Sequence, residues 1–332
     1  MRAVVLVGGF GTRLRPLTDS VPKSMLPVAH VPLIARLVGG LERGGIDAVT
    51  LALGFRPEPF VEAFPDARCG GVALEYAVEP EPLDTAGAIR FAADHAGIHD
   101  TFVVVNGDVL TDLDLGRLVA THRARGAEAT IHLIAVDDPS AFGVAELDSS
   151  GRILAFVEKP APGTEPSNLI NAGTYVLEPS ILDLIEPGRP VSVERDTFPR
   201  LVARGGMHGI ATEDYWIDAG RPELYLRANI DLITGRRGAP VTAVDPAASV
   251  GADVTIHEAV IGPGAVVDRG ATVVRSVVLP GARVGVEAVV EESIVMGAVG
   301  DRARAVRAVV GAGAIIADGE SAVDTRIPAP VA

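Results

Sequence analysis

The last third of this 332-residue chain repeats aliphatic residues at a spacing of six, with one five-residue step. Glycine, alanine and short polar residues fill the positions between them. A six-residue period is typical of a parallel β-helix, in which each short strand forms one side of a coil. A generic β domain rich in valine and alanine is the alternative. The repeat runs through Val250, Ile256, Ile261, Val267, Val273 and Leu279, and the pairs Val289/Val295 and Val309/Ile315 keep its period.

Before about residue 235 the chain alternates apolar, β-branched runs with helical stretches. We expect strands at 4–7, 48–53 and 101–105, and helices at 31–43 and 85–95. This alternation predicts an α/β fold with a Rossmann-like, mostly parallel sheet and flanking helices. The predicted organisation is an α/β domain at 1–235, a linker at 236–246 and a β-helix domain at 247–332.

Charge and cysteine content restrict the partners and the compartment. A net charge of -14 repels nucleic acid and anionic membranes, so neither is expected as a partner. No stretch approaches the roughly 18 apolar residues of a transmembrane helix. Cys69 is the single cysteine, which excludes an intrachain disulfide and fits a reducing, cytoplasmic location. An anionic substrate would have to be bound by positive groups placed locally.

The loop after the first apolar run, GGFGTRLRPLT, combines three glycines with two arginines. A dinucleotide-binding loop is disfavoured because Leu14 stands where its third glycine would be, and the Lys-Ser/Thr of a P-loop is missing. A third type of loop wraps phosphates with backbone N–H groups, assisted by arginine and lysine. The following PKSMLP segment supplies Lys23. A surface turn with incidental charges is the alternative. The loop follows a strand, where α/β sheets bind ligands.

This pair of segments resembles the sugar-nucleotide pyrophosphorylases, nucleotidyltransferases that make NDP-sugars from an NTP and a sugar 1-phosphate. Further segments are similar to that family in order along almost the whole chain. Several members also carry a C-terminal left-handed β-helix of hexapeptide repeats. The further segments are Asn106-Gly107-Asp108, Phe142-Gly143-Val144, Val157-Glu158-Lys159-Pro160, Asn171-Ala172-Gly173-Thr174-Tyr175 and Trp216-Ile217-Asp218-Ala219-Gly220.

Two segments resemble the mannose-1-phosphate guanylyltransferases within that family. They are EPLDTAG at 81–87 and SVERDTFPRLVARG at 192–205. Asp84 departs from the pattern, because glycine usually stands there. The resemblance implies GTP and mannose 1-phosphate as substrates. The alternatives are dTTP or UTP with glucose 1-phosphate, GTP with another sugar-like 1-phosphate, and a regulatory or assembly relative without activity.

The resemblance also implies roles for individual residues. The predicted catalytic residues are Arg13, Lys23 and Asp108. The predicted nucleotide-binding residues are Gly8, Gly9, Gly11, Thr12, Arg13, Lys23, Thr85, Ala86, Gly87 and Asn106. The predicted sugar-phosphate-binding residues are Gly143, Glu158, Lys159 and Asn171. The predicted ligands of the cofactor Mg²⁺ are Asp108 and Asp218.

The histidines and the β-helix lead to two last expectations. Histidines are scattered without metal-ligand spacing, which argues against zinc. β-helices with a six-residue period also occur in acyltransferases, which usually carry a catalytic histidine within the coils. His257 is the only coil histidine and has no obvious partner, which argues against an acyltransferase. The exposed end and valine-rich flank of the β-helix predict a homo-oligomer, a dimer or higher.

Overall fold

A computed structural model describes residues 1–54 and 57–329, and these divide into two compact units. Unit 1 combines Met1–Gly9 with Ile34–Trp216. Unit 2 combines Phe10–Leu33 with the residues from Ile217 onward. The glycine-rich loop is therefore divided between the units after Gly9.

The described chain contains six α-helices: α1 (Leu33–Arg43), α2 (Glu58–Ala63), α3 (Asp84–His95), α4 (Leu115–Arg125), α5 (Phe198–Ala203) and α6 (Pro222–Ile233). Short 3₁₀ turns cover Thr12–Leu14, Leu17–Asp19, Lys23–Met25 and Pro179–Leu184, and a π-helical turn covers Val193–Thr197. The strands before the repeat region are β1 (Arg2–Leu6), β2 (Pro27–Val28), β3 (Val31–Pro32), β4 (Ala48–Leu53), β5 (Arg68–Cys69), β6 (Val72–Val78), β7 (Phe102–Asn106), β8 (Val109–Thr111), β9 (Ala129–Ala135), β10 (Gly143–Leu147), β11 (Ile153–Glu158), β12 (Leu169–Leu177), β13 (Met207–Thr212) and β14 (Trp216–Asp218).

Unit 1 is built on one large sheet whose main path runs β11-β10-β12-β7-β1-β4-β6-β5. Its centre is parallel, because β1 pairs in parallel with both β4 and β7, and β4 with β6. The side chains of Ala3, Val4 and Val5 are fully buried, as expected for a strand covered on both faces. The predicted Rossmann-like sheet is confirmed, and antiparallel strands flank its parallel centre: β12, β10 and β11 on one side and β5 at the other edge.

The predicted elements of the α/β region are present within two residues of their expected ends. The first helix begins at Leu33 rather than at residue 31, because Val31–Pro32 pairs with Pro27–Val28 as a short antiparallel hairpin. Pro32 at the end of β3 lacks a backbone N–H, and the N–H of the next residue, Leu33, donates to the Leu26 carbonyl oxygen at 3.0 Å, so the hairpin closes where the helix begins.

Beyond residue 248, unit 2 forms a parallel β-helix of three five-stranded sheets. The sequence register gives coils of 17 residues, except for one coil of 15, since Thr272 pairs with Val289 and Val289 with Arg304. Its interior is a column of buried valines, alanines and isoleucines, which the six-residue repeat places inward. The strands are β15 (Ser249–Val250), β16 (Thr255–His257), β17 (Val260–Ile261), β18 (Val266–Val267), β19 (Thr272–Val274), β20 (Val277–Val278), β21 (Arg283–Val284), β22 (Val289–Glu291), β23 (Ile294–Val295), β24 (Ala298–Val299), β25 (Arg304–Val306), β26 (Val309–Val310), β27 (Ile315–Ile316), β28 (Ser321–Val323) and β29 (Arg326–Ile327).

The shortened coil turns at Gly297, where no larger residue fits. A Cβ atom there would lie 2.2 Å from the Ala314 carbonyl oxygen and 2.6 Å from the Gly311 carbonyl oxygen. One β-helix corner also stacks residues of alternating charge in the left-handed backbone region: Glu258, Arg275, Glu292, Arg307 and Asp324. Neighbours along this column form ion pairs, with 3.0 Å between Arg275 Nη1 and Glu258 Oε2.

The helices of the described chain are too short or too polar to cross a lipid bilayer.

Candidate active site

Glycines bring the carboxyl ends of β1, β4 and β7 together in unit 1. A Cβ atom on Gly8 would lie 2.9 Å from the Gly54 nitrogen, and one on Gly107 would lie 2.7 Å from the Leu6 carbonyl oxygen. Both positions therefore require glycine for backbone packing alone. The Gly107 N–H donates a 2.9 Å hydrogen bond to that Leu6 oxygen. Gly8 thus has a packing role besides its predicted approach to the nucleotide, whereas Gly9 is exposed.

Asp108 lies at this edge of the sheet, directly after Gly107. Its exposed fraction is 9%, and Asn106 beside it is half-buried at the end of β7. The Asn106 amide faces Gly173, where a Cβ atom would lie 2.7 Å from Asn106 Nδ2. Gly173 has a φ of 74°, so its glycine leaves room for this amide. Carboxylate oxygens are the ligands that hard cations prefer, so this mostly buried aspartate is chemically suited to bind one.

The antiparallel pair β10–β11 places Gly143 directly opposite Glu158. A Cβ atom on Gly143 would lie 2.9 Å from Glu158 Oε2, so this glycine leaves space for the carboxylate. Burial raises the pKa of Glu158, and the neighbouring Glu194 carboxylate adds to the rise. Lys159 acts in the opposite direction, with its Nζ 3.5 Å from Glu158 Oε1. The Lys159 amine itself is exposed.

The side chains of Asn171 and Asn106 both hydrogen-bond to Tyr175. The Asn171 Nδ2 donates to the Tyr175 hydroxyl at 2.9 Å, and its Oδ1 accepts from the Gly173 N–H at 3.0 Å. Tyr175 is fully buried, and this burial raises its pKa. The Asn171 amide is therefore held rigidly, and a sugar hydroxyl would have to share it with Tyr175.

Trp216 ties three of the sequence motifs of unit 1 together. Its Nε1 donates to the Ala172 carbonyl oxygen at 2.9 Å. Its ring meets the Phe142 ring edge-on, with 5.9 Å between the centroids. The Phe142 motif and the Asn171 motif are thus fixed to one another by a single aromatic side chain.

The first turn of α3 carries Thr85, Ala86 and Gly87, and its polar groups are bonded within the protein. The Thr85 hydroxyl donates to Glu194 Oε2 at 2.7 Å and accepts from the Val193 N–H at 2.8 Å. The N–H groups of Ala86 and Gly87 both donate to the Val191 carbonyl oxygen, at 2.8 and 3.2 Å. Nucleotide binding by these three residues stays a prediction.

Asp84 begins α3 with a φ of 57°, in the left-handed backbone region. Glycine adopts this region without strain, which gives a backbone reason for the glycine usual at this position in the resembling guanylyltransferases. Aspartate is among the few other residues that tolerate it. The Asp84 side chain is exposed, and its Oδ1 accepts the Thr85 N–H at 2.7 Å.

In unit 2 the remainder of the glycine-rich loop folds back on itself at Gly11. Gly11 has a φ of 63°, and a Cβ atom there would lie 2.9 Å from Thr18 Cγ2 and 3.2 Å from Lys23 Cβ. The Thr18 hydroxyl donates to the Gly11 carbonyl oxygen at 2.8 Å. The chain therefore brings Lys23 next to the loop that carries Thr12, which is exposed.

Arg13 and Asp218, predicted in different roles, form an ion pair within unit 2. The distance from Arg13 Nη2 to Asp218 Oδ2 is 3.7 Å, and the Arg13 side chain is 54% exposed. The other oxygen of Asp218 accepts the Gly220 N–H at 2.8 Å. Asp218 is thus oriented by a turn on one side and by a cation on the other.

The two predicted metal ligands belong to different units, Asp108 to unit 1 and Asp218 to unit 2. In the part of the chain that the structure describes, no three His, Cys, Asp or Glu side chains converge on a point. Mg²⁺ is usually held by only one or two carboxylates, with phosphate oxygens and water completing its coordination. The donor chemistry of the two aspartates fits that ion.

Two residues near the predicted sugar-binding groups were not predicted from the sequence. Glu194 accepts hydrogen bonds from the hydroxyls of Thr85 and Ser192, at 2.7 and 2.9 Å. Tyr175 joins Asn171 from the other end of the same motif. The 192–205 segment is conspicuous in the sequence, but nothing local in it distinguishes Glu194 from its charged neighbours.

The profile of the nucleotidyl transferase family matches residues 2–235. The chain belongs to this family. A second profile, the GlmU-like C-terminal hexapeptide, matches residues 239–324 and covers the β-helix. Both findings confirm the predicted family and fold.

Among curated proteins, the nucleotidyltransferase chain is 43% identical over 240 residues to "Mannose-1-phosphate guanylyltransferase" of Mycobacterium tuberculosis. That match covers 72% of this chain and 66% of the relative. A second relative, "Probable mannose-1-phosphate guanylyltransferase 1" of Oryza sativa, is 39% identical, over 79% of this chain and 73% of its own length.

Two solved structures are similar to this chain over about 70% of its length. A Bacillus anthracis protein assigned as a glucose-1-phosphate thymidylyltransferase, crystallised with sucrose, is 26% identical with a TM-score of 0.65. That match covers 73% of this chain and 97% of the other. HddC from Yersinia pseudotuberculosis, complexed with GMP-PN, is 29% identical with a TM-score of 0.59, over 69% of this chain and 97% of its own.

Proposed function

We propose that this nucleotidyltransferase transfers a guanylyl group from GTP to mannose 1-phosphate, giving GDP-mannose and pyrophosphate with Mg²⁺ as cofactor. The observation that carries the substrate pair is the similarity to relatives from bacteria, plants and fungi that bear this name, at 36–43% identity over most of the chain. A cytoplasmic location is part of the same proposal.

The reaction is an in-line displacement at the α-phosphorus of the nucleotide. An oxygen of the sugar 1-phosphate attacks, and pyrophosphate leaves. This oxygen needs no general base, because the second pKa of a phosphate monoester is about 6 and the group is largely dianionic at neutral pH. The protein has to align two anions and reduce their repulsion.

We assign a role to each charged side chain from the sequence motif in which it lies. Arg13 would neutralise the β- and γ-phosphates, which leave, and Lys23 would stabilise charge on the α-phosphate. Lys159 would bind the sugar phosphate, while Glu158, Asn171 and the backbone at Gly143 would hold sugar hydroxyls. Asp108 and Asp218 would hold Mg²⁺, which neutralises phosphate charge when bound.

The Arg13–Asp218 pair supports this assignment on physical grounds. The Asp218 carboxylate, 3.7 Å from Arg13 Nη2, orients the arginine side chain before the nucleotide binds. Because the arginine is half-exposed, it can still donate to phosphate oxygens. Pre-orientation of this kind lowers the entropic cost of binding the nucleotide.

A second candidate is transfer of a thymidylyl or uridylyl group to glucose 1-phosphate. The similarity to the Bacillus anthracis structure favours it, although at lower identity than the guanylyltransferase relatives. The proposed Asp108, Lys23 and Lys159 chemistry is the same for both candidates, so only the substrates differ.

Pyrophosphate release over a grid of nucleotides and sugar phosphates tests the proposal. The grid combines GTP, ATP, UTP, CTP and dTTP with mannose, glucose and related 1-phosphates, with Mg²⁺ and, as a control, with excess chelator. The highest rate is expected for GTP with mannose 1-phosphate. A higher rate for another pair would reassign the substrates, and no release from folded protein would favour a regulatory relative.

A further inference from the structure

Residues 10–33, which carry Arg13 and Lys23, associate with the C-terminal part of the chain in unit 2. They are separated from the last β-helix coil by about three hundred positions in sequence, yet specific contacts join the two within this unit. The predicted phosphate-binding groups are therefore positioned by elements that the sequence places at its other end.

The most direct contact is made by Arg326 at the start of β29. Its Nη1 donates to the carbonyl oxygen of Arg13 at 2.9 Å and to that of Arg15 at 3.2 Å. Hydrogen bonds from a guanidinium to backbone oxygens are charge-assisted and stronger than neutral ones. One half-buried side chain thus fixes the backbone on both sides of Leu14, directly at the residue predicted to bind phosphate.

The β-helix backbone also touches the same loop. A Cβ atom on Gly311, at the end of β26, would lie 2.8 Å from Pro16 Cβ and 2.9 Å from Pro16 Cγ. Gly311 therefore lets the coil approach the proline ring as closely as its backbone permits. This contact and the Arg326 hydrogen bonds hold the loop from two neighbouring strands, since β26 pairs with β29.

The other end of the segment is held by α6, also in unit 2. The buried Asn229 accepts the Ala29 N–H on its Oδ1 at 2.8 Å, and the Tyr225 hydroxyl donates to the Pro27 carbonyl oxygen. Asn229 is itself fixed, because its Nδ2 donates to the Tyr225 carbonyl oxygen at 2.9 Å. The segment is thus attached both before and after Lys23.

We infer that Arg326 is a positioning residue for nucleotidyl transfer: through the backbone of Arg13 and Arg15, the last β-helix coil sets the geometry of the phosphate-binding loop. In this role Arg326 acts through the backbone that it holds and not through a bond to the substrates. The expected change in NTP kinetics rests on the proposed function, whereas the expected change in the backbone of residues 10–20 does not.

The test compares Arg326→Ala and Arg326→Lys with a matched control, Arg304→Ala, in the full-length chain. Arg304 is an exposed arginine on β25 of the same β-helix, so its loss removes a similar side chain away from the loop. Gly311→Ala is an additional variant that disturbs the loop by crowding Pro16 and leaves Arg326 intact.

Hydrogen exchange provides the readout that does not depend on activity. We expect Arg326→Ala to accelerate amide exchange in peptides covering residues 10–20, while peptides of the α/β sheet and Arg304→Ala remain as in the wild type. Unchanged exchange at residues 10–20 in Arg326→Ala would overturn the inference, whatever reaction the protein catalyses.

Steady-state kinetics with the NTP selected by the substrate grid provide the second readout. We expect Arg326→Ala to lower kcat/KM for the NTP by about 10- to 100-fold, the size of effect that a small misplacement produces. The KM for the sugar 1-phosphate and the melting temperature should stay near their wild-type values, and Arg326→Lys should recover part of the loss.

Further results would contradict the positioning role or the proposed function. Kinetics of Arg326→Ala equal to those of Arg304→Ala would overturn the positioning role. A loss of activity that only follows a lower melting temperature would show a purely structural role.

If Arg326→Ala does not fold, Arg326→Lys and Gly311→Ala decide, and wild-type NTP kinetics in both would overturn the inference. An inactive wild type would refute the proposed function, and exchange would still decide the inference.

Discussion

At the scale of single residues, burial and backbone conformation distinguish the predicted site residues from one another. Asp108 is mostly buried at the end of β7, next to a glycine that no other residue could replace without a clash. Lys159, in contrast, presents an exposed amine from a backbone in the left-handed region, with a φ of 50°. The first is suited to a fixed metal ligand and the second to a mobile substrate contact.

Asp108→Asn should abolish turnover to less than a tenth of wild type and leave the fold intact. Asparagine has the same size but loses the negative charge that a hard cation requires. Pyrophosphate release measures the activity, and circular dichroism with a thermal melt checks folding. Activity above a tenth of wild type in a folded variant would refute the metal role.

Lys159→Ala should mainly raise the KM for the sugar 1-phosphate, because the predicted contact is with the phosphate of that substrate. Lys159→Arg is the matched control, since it keeps the charge and the same left-handed backbone strain. Steady-state kinetics with each substrate varied in turn separate the two effects. If the sugar-phosphate KM of the alanine variant equals that of wild type, Lys159 lies outside the site.

At the scale of elements, glycine has opposite roles in the β-helix and in the helices. Gly297 occupies the corner of the 15-residue coil, whereas Gly39 lies inside α1 with only the Arg43 guanidinium near its missing Cβ. The same substitution should therefore change stability in opposite directions at these two positions.

Gly297→Ala should destabilise the protein by about 1–3 kcal/mol, the usual cost of overpacking, because its Cβ would meet two carbonyl oxygens. Gly39→Ala should stabilise it by about 0.5–1 kcal/mol, the gain in helix propensity. Chemical denaturation followed by circular dichroism measures both. A Gly297→Ala variant as stable as wild type would show that the corner can relax.

The elements with local sequence patterns were predictable, and those made by distant contacts were not. The hexapeptide repeat identified the β-helix because each coil buries its own aliphatic residues. The parallel strands followed from their β-branched runs. The hairpin at 27–32 was not predicted, because its two-residue strands carry no periodicity. The site residues were predicted from motifs, and their roles stay predictions. Glu194 and Arg326 depend on contacts across about one hundred and three hundred positions, which no local motif indicates.

At the scale of the whole molecule, the negative net charge and the exposed apolar side chains of the β-helix have opposite effects on association between copies of the protein. The net charge of -14 keeps molecules apart at long range. Ile315 and Val323, however, are 67% and 50% exposed on the β-helix. Salt screens the repulsion beyond roughly 8 Å at physiological ionic strength, whereas burial of such side chains between two copies is favourable at contact.

We therefore predict a homo-oligomer, a dimer or higher, in solution. Light scattering coupled to size-exclusion chromatography at micromolar concentration measures the mass. Ile315→Lys should shift the population toward smaller species if β27 forms part of the interface, because it replaces the most exposed of these apolar side chains by a charge. A monomeric mass for the wild type would contradict the prediction.

The attachment of residues 10–33 to the C-terminal coils has a consequence for the order in which the protein matures during translation. During translation the GGFGTRLRPLT segment leaves the ribosome about three hundred residues before Arg326. A nascent chain that has emerged as far as residue 235 contains every residue assigned to the chemistry. It still lacks the coil that holds Arg13 and Arg15 in place. Full activity should therefore appear only after the coil that carries Arg326 has emerged and folded, although all the residues assigned to the chemistry are made earlier.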